Sequence, residues 1–380
     1  MAGLYVHVPF CLRRCPYCDF TVAVTSKVPA ARFVDAVLEE VRIRRHELAS
    51  RTLRTIYLGG GTPSILPPGE VERLLDGARA LLSEVMELDL REVTIEANPE
   101  HVSGDSALAW RTSGVTRVSL GAQALRDDVL AVLGRSHTGA DVRRSVDAVR
   151  HAGIEHCSVD LIFGAPGDSL ERFVADVDLV AGWSGVDHLS VYELTWEPRT
   201  AFSVRRRRGL LSAWSDDALA DAYAACGARL GSAGFERYET SSFARAAGRS
   251  EHNQGYWLGH EYLGVGPGAH SLRIGGEPGP VSRRANAPST RRYLDAVAAA
   301  PEFETISSAQ HLRELIALGL RRSDPLDVGL LRDRFANDWP LVDGPVRAWI
   351  DRGLAVEEPG GLRFSEAARA LADTLAEDVF

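Results

Sequence analysis

The sequence predicts an α/β fold, a partial (β/α)6 barrel with a small α+β, winged-helix-like unit at its C-terminus. Three observations carry that expectation. Short β-branched runs alternate with amphipathic helical patterns through the first half of the chain, the signature of βαβ units and a parallel sheet. The distinctive polar residues mostly stand just after a predicted strand, where the chemistry of such barrels collects. From about Pro301 the pattern changes to helices followed by a hairpin.

In chain order, strands are predicted at Leu4–Val8, Thr55–Gly59, Glu92–Ala97, Arg117–Leu120, Glu155–Ile162 and His188–Glu193. Helices fall near Ala31–Arg45, Gly69–Leu82, Ser103–Arg111, Val142–Ala152 and Leu170–Ala181. Beyond Glu193, "SVRRRRGLL" reads as a solvated loop, because charge runs are usually exposed. A helix at Asp216–Ser232 and a strand near Phe235–Glu239 follow. The stretch "GVGPGAHSLRIGGEPGPVS", Gly264 to Ser282, is expected to break regular structure. In the last unit, "AQHLRELIALGLRR" and "GPVRAWIDRGL" read as helices, and "LAVEEPGGLRFS" as a hairpin turning at Pro359-Gly360-Gly361. Without a basic recognition helix, this unit reads as a structural lid or cap.

Composition narrows the function. The chain has 380 residues, 45% of them hydrophobic, enough for one large domain and a smaller one. No apolar run reaches membrane-spanning length and no secretory leader is evident, so a soluble cytoplasmic protein without direct membrane insertion is expected. A net charge of -9 argues against nucleic acid as a partner. Three of the five cysteines are clustered while Cys157 and Cys226 stand alone, which is not a disulfide framework.

The cluster is "VHVPFCLRRCPYCDF": Cys11, Cys15 and Cys18, spaced C-x3-C-x2-C directly after the first strand. A structural zinc site wants a second pair of ligands, and none exists. Three thiolates suit a [4Fe–4S] cluster with one iron left open to a small chelating molecule. Tyr17 and Phe20 would shield such a cluster from water.

This spacing resembles the radical S-adenosylmethionine (SAM) superfamily. The resemblance implies that the open iron binds SAM, and that an electron from the cluster cleaves it to methionine and a 5′-deoxyadenosyl radical. "YLGGGTPSIL" resembles the family's loop for the methionine amino group, which implies that role for Gly60, Gly61 and Thr62. Glu96 in "TIEANPE", Gln123 in "SLGAQAL", Arg135 in "LGRSH" and Asp160 in "VDLIFGAPG", with Tyr5, match the SAM-contacting residues of the oxygen-independent coproporphyrinogen oxidase family. The likeness continues through "LSVYELTWEPRTAF", "RYETSSFARAAGRSEHNQGYW" and "YLGVGPGAHS". It implies a core over 1–240, a family-specific segment over 241–300 and a cap over 301–380.

Within that family the dehydrogenases carry a fourth cysteine two residues after the third, where this chain has Phe20. Phe20, and the lack of a long extension before the motif, resemble the HemW branch, assigned as heme chaperones. "HNQGYW" matches that branch's H-N-x-x-Y-W signature, associated with heme. His252 can supply an axial imidazole, while Asn253, Tyr256 and Trp257 complete the motif and its rings offer flat surface to a porphyrin. The lesser alternative is that the same cluster simply ties the barrel to the C-terminal unit. His270, after the glycine-rich loop, is a further candidate ligand. The expected partners are heme, heme-acceptor proteins such as respiratory enzymes, and an electron donor such as a ferredoxin or flavodoxin. The competing reading is oxidative decarboxylation of coproporphyrinogen III.

Overall fold

The computed structural model describes residues 1–49, 51–275, 280–297 and 301–380. The six predicted strands form, here β1 (Ala2–Val8), β2 (Thr52–Gly60), β3 (Glu87–Ala97), β4 (Arg117–Gln123), β5 (His156–Phe163) and β6 (His188–Glu193). They lie parallel and adjacent in chain order. Helices Ala30–Arg44, Pro68–Ser83, Gly104–Thr112, Gly139–His151 and Leu170–Ala181 connect them.

Period-2 alternation sorts each strand's side chains between two environments. On β1, Leu4, Val6 and Val8 are fully buried in the main apolar core that includes Phe33, Val37 and Leu75 of the first two connecting helices. Gly3, Tyr5 and His7 pair with Thr55, Tyr57 and Gly59 of β2 and face the other way, into the barrel. That interior is polar. Glu92 of β3 and Arg117 of β4, both buried, form an ion pair at 2.9 Å, and Arg117 also reaches Ser158 of β5. A buried ion pair survives only when such further hydrogen bonds satisfy its remaining groups.

Among the described residues the sheet extends at both edges to twelve strands. Ser242–Ala244 runs antiparallel on β6 and carries Glu236–Arg237 beyond it. Glu261–Val265 pairs parallel with β1, followed by antiparallel His270–Ile274, Val281–Ala285 and Glu302–Ile306. The glycine-rich stretch is therefore not irregular throughout, because distant partner strands supply its backbone hydrogen bonds; residues 276–279 lie outside the described residues. Its glycines serve close approach. A Cβ on Gly264 would lie 1.8 Å from the His270 carbonyl oxygen, and Gly266, at φ +100°, sits against the His7 carbonyl. Glu40, fully buried, fixes this loop by accepting from Gly266 N–H, Tyr293 O–H and Asn286.

A second departure lies at the arginine run. Residues Ala201–Arg207 form a helix rather than a loop, with Thr200 accepting from Ser203 N–H as its cap. Phe202 anchors it, fully buried, while Arg205, Arg206, Arg207 and Arg208 remain exposed as expected.

The C-terminal unit has a core of its own, including Leu312, Ile316, Trp339, Val342, Trp349 and Phe364. Helices Ser308–Gly319, Val328–Arg334 and Pro340–Asp351 precede the hairpin Ala355–Glu358 with Gly361–Phe364. It docks on the barrel's N-terminal mouth, where Ser323 N–H meets the Tyr238 carbonyl and Arg249 pairs with Asp324. Among the described residues, none of this unit lines the cavity that holds the cysteines.

Candidate functional site

Cys11 ends a two-residue strand that pairs with Ala23–Val24, and the loop between them carries Cys15 and Cys18. Each contact of this loop has a local cause. Cys18 N–H donates to the Cys15 carbonyl at 3.1 Å, and Phe202 N–H to the Pro16 carbonyl at 2.9 Å. His7 donates Nε2–H to the Thr21 carbonyl at 3.0 Å and accepts at Nδ1 from Tyr5 O–H at 3.1 Å. Gly134, at φ +70°, leaves room for the Pro16 ring, which a Cβ would approach to 2.7 Å.

The three cysteines line one wall of a cavity of about 500 Å³ at the C-terminal ends of the strands. Gly60, Gly61, Thr62, Glu96, Gln123, Arg135 and Asp160 line it too, so the structure brings the sequence-predicted set together. Tyr5 is the exception. It lies one layer deeper, its hydroxyl committed to His7. Tyr17 is half-buried against Phe202, ring centroids 6.1 Å apart. Phe20 departs from expectation: it is 59% exposed at the rim, because its loop is held through the Phe20 carbonyl, by Arg14, rather than through the ring. Both rings line the cavity, and Tyr17 is the more buried of the two.

The polar lining is held under tension between burial and hydrogen bonding. Glu96 accepts from Tyr57 O–H at 2.9 Å and Gly60 N–H at 3.0 Å. Burial pushes its carboxyl up to about 7, against the pull of Tyr57, with nearby Asp160 adding to the rise. Asp160 accepts from Ser119 at 3.1 Å, and burial pushes it up to about 6. Gln123 follows a bulge in β4 and has φ +67°, the left-handed region, alone among described non-glycine residues. Such strain collects at ligand sites. Arg135 donates to Asn98 Oδ1 at 2.6 Å, to the Gly121 carbonyl at 2.7 Å and to Cys15 Sγ at 3.7 Å. Its buried Nε has no hydrogen-bond partner among the described residues. Asn98, Tyr57 and Ser119 escaped the sequence reading; their only signal was a place near or on the same strands as Glu96 and Asp160.

This donor set fits the groups the motif implies. Burial pushes the Cys11 and Cys18 thiols up, while Thr62 bonds Cys11 Sγ at 3.4 Å and Arg14 favours the thiolates. Among the described residues no three His, Cys, Asp or Glu side chains gather tightly enough to hold one metal ion. Thiolates that each take a different iron of a cluster need no such convergence.

The "HNQGYW" residues lie at the opposite end of the barrel, on helix Glu251–Trp257. His252 is 4% exposed, and both ring nitrogens are engaged, by Thr55 Oγ1 at 2.7 Å and Tyr256 O–H at 2.9 Å. Burial pushes it down to about 4, so it is neutral. An iron could reach this imidazole only after one of those bonds is lost. The neighbouring cavity, about 200 Å³, is below the usual range for a ligand pocket. Asn253 N–H meets the capping Ser250, and the Trp257 ring carries the Arg321 guanidinium at 5.3 Å, linking barrel to C-terminal unit. His270, in contrast, is exposed, close to His7.

A family model described as the radical SAM superfamily matches residues 5–180, and one for the HemN C-terminal domain matches 306–371. The chain is 40% identical to heme chaperone HemW of Mycobacterium tuberculosis over 97% of its length and 94% of that protein's. It is 32% identical to heme chaperone HemW of Bacillus subtilis, covering 89% and 87%. The solved structure of coproporphyrinogen III oxidase (HemN) from Escherichia coli superposes with a TM-score of 0.82 at 22% identity, over all of this chain and 89% of that one, a likeness of fold. The chain belongs to the HemW family of the radical SAM superfamily.

Proposed function

We propose that this protein is a heme chaperone that holds a [4Fe–4S] cluster and SAM in the cysteine-lined cavity and passes heme to acceptor proteins. The observation that carries the reading is the wall formed by Cys11, Cys15 and Cys18 beside Arg135 and Glu96, with Phe20 standing where a fourth thiol would be. When bound, the cluster supplies an iron open to SAM and a route for single electrons. The chain's own residues do the rest. Gly60 to Thr62 bring backbone close to the ligand, and Glu96 and Asp160 accept from ammonium or ribose hydroxyl groups. Arg135 balances anionic charge beside Cys15, and Gln123 can donate or accept.

On this reading the segment 1–240 is the core, 241–300 fixes the barrel's edge and N-terminal mouth, and 301–380 is the cap. Heme is taken at an accessible imidazole, with His270 the first to test because its side chain is free at the surface. A cytoplasmic setting and a ferredoxin- or flavodoxin-type donor belong to the same proposal. Among the described residues no helix is long and apolar enough to cross a membrane.

The second reading, oxidative decarboxylation of coproporphyrinogen III, draws on the likeness of fold to HemN, and Phe20 weighs against it. One experiment separates them. The anaerobically reconstituted, reduced protein is given SAM with either coproporphyrinogen III or heme and an apo-acceptor. Heme handover without decarboxylated porphyrinogen supports the chaperone; decarboxylation would replace it with the enzyme.

A further inference from the structure

Contacts run without a break from the wall of the cavity to the far mouth of the barrel. Glu96 commits one carboxylate oxygen to Tyr57 and the other to Gly60 N–H. The Tyr57 ring stacks on the His252 imidazole, centroids 4.9 Å apart and planes 26° apart. Thr55 and Tyr256 grip that imidazole from its two nitrogens, so it cannot turn without breaking a buried hydrogen bond. The backbone beneath is as firmly set. Glu92 accepts from the N–H groups of Glu251 and His252 and from Ser250 O–H, tying the start of this helix to β3. Glu96 stands four residues further along that same strand. The His252 ring is thus fixed at both nitrogens, and its faces meet the rings of Tyr57, at 4.9 Å, and Tyr5, at 6.4 Å.

We propose that His252 is a positioning residue for the SAM site, holding Tyr57 so that Tyr57 presents Glu96 to the ligand. The inference rests on the reading that SAM occupies the cavity. It gives a purpose to a buried histidine whose two ring nitrogens are both engaged in this structure.

The test uses the full-length, cluster-reconstituted protein and three readouts: iron content, SAM affinity by equilibrium dialysis, and heme titration. Tyr57→Phe keeps the ring and removes the donor to Glu96; it is expected to weaken SAM about tenfold, the worth of one buried hydrogen bond to a charged group. His252→Ala is expected to do the same, with iron content and heme titration as in the wild type. The double variant is expected to be no weaker than the worse single one, because both act through one contact. If His252→Ala does not fold, His252→Asn, which keeps a partner for Thr55, takes its place and is expected to bind SAM between the two extremes. Wild-type SAM affinity in a folded Tyr57→Phe protein would overturn the proposal, as would a His252 variant that loses heme and keeps SAM. A wild type that takes no SAM at all would overturn the reading of the cavity itself, and the inference with it.

Discussion

Arg135 sets one guanidinium nitrogen 3.7 Å from Cys15 Sγ and another 2.6 Å from Asn98 Oδ1, so a single planar group joins the cysteine loop to the end of β3. Its place depends on the turn at Gly134, whose left-handed backbone also admits Pro16. The fork geometry matters here as much as the charge.

Arg135→Lys should therefore behave much like Arg135→Ala. Both should retain iron and weaken SAM binding by about ten- to a hundredfold, the range for a buried charge-assisted hydrogen bond. Dialysis against SAM, with iron measured in parallel, checks this; full affinity in the lysine variant would show that charge alone suffices.

The two raised carboxyls predict a pH dependence of the ligand-free protein. Glu96 titrates near 7 in the folded state against about 4.5 unfolded, so the unfolded chain binds fewer protons between those values. Stability should fall as pH rises from about 4.5 to 7 and stay level above, with Asp160 contributing from about 3.8 to 6. Because the Glu96 carboxylate opens onto the cavity, its share is on the order of 1–2 kcal/mol rather than the full shift. Urea melts at pH 5 and pH 8 should show Glu96→Gln losing less than the wild type over that interval. Equal losses would mean Glu96 is ionised throughout.

The cysteines should divide cleanly. Cys15→Ala should abolish cluster incorporation. Cys157 and Cys226, both buried in the apolar core with their thiols pushed up by burial, should be replaceable by Ala with full iron content. Each replacement should cost about 1–2 kcal/mol through the void it leaves. Iron loss in either would demand a role for an isolated thiol.

Gly266→Ala tests the link between the glycine-rich loop and the cluster loop. The position has φ +100°, and a Cβ would lie 2.5 Å from the His7 carbonyl oxygen, while the His7 ring holds Thr21. The substitution should cost about 1–3 kcal/mol and lower cluster occupancy, read as a drop in Tm and in iron per chain. A variant with wild-type iron would confine the strain to the loop.

Much of this architecture was legible before the structure. The six strands and their helices follow from periodicity, since each strand's buried face and each helix's apolar stripe are local patterns. Part of the cavity lining was legible because Gly60, Glu96, Gln123 and Asp160 lie toward the C-terminal ends of strands and Gly61, Thr62 and Arg135 in the loops beyond. What escaped depends on distant partners. The helix at Ala201–Arg207 needs Phe202 seated beside Pro16, and the strand His270–Ile274 needs Val281–Ala285. The burial of His252 needs Glu92, some 160 residues away, to receive its helix. Motif spacing located that histidine but carried no information about which way it faces.

A heme chaperone must bind heme, here beside a cavity lined by three thiols, with no fourth in that lining among the described residues. The most direct measurement is an absorbance titration of heme into the anaerobically reconstituted protein, with His270→Ala and His252→Ala beside the wild type. The wild type is expected to give a stoichiometric Soret band that His252→Ala retains and His270→Ala weakens. No heme band from the wild type, together with turnover of coproporphyrinogen III, would contradict it.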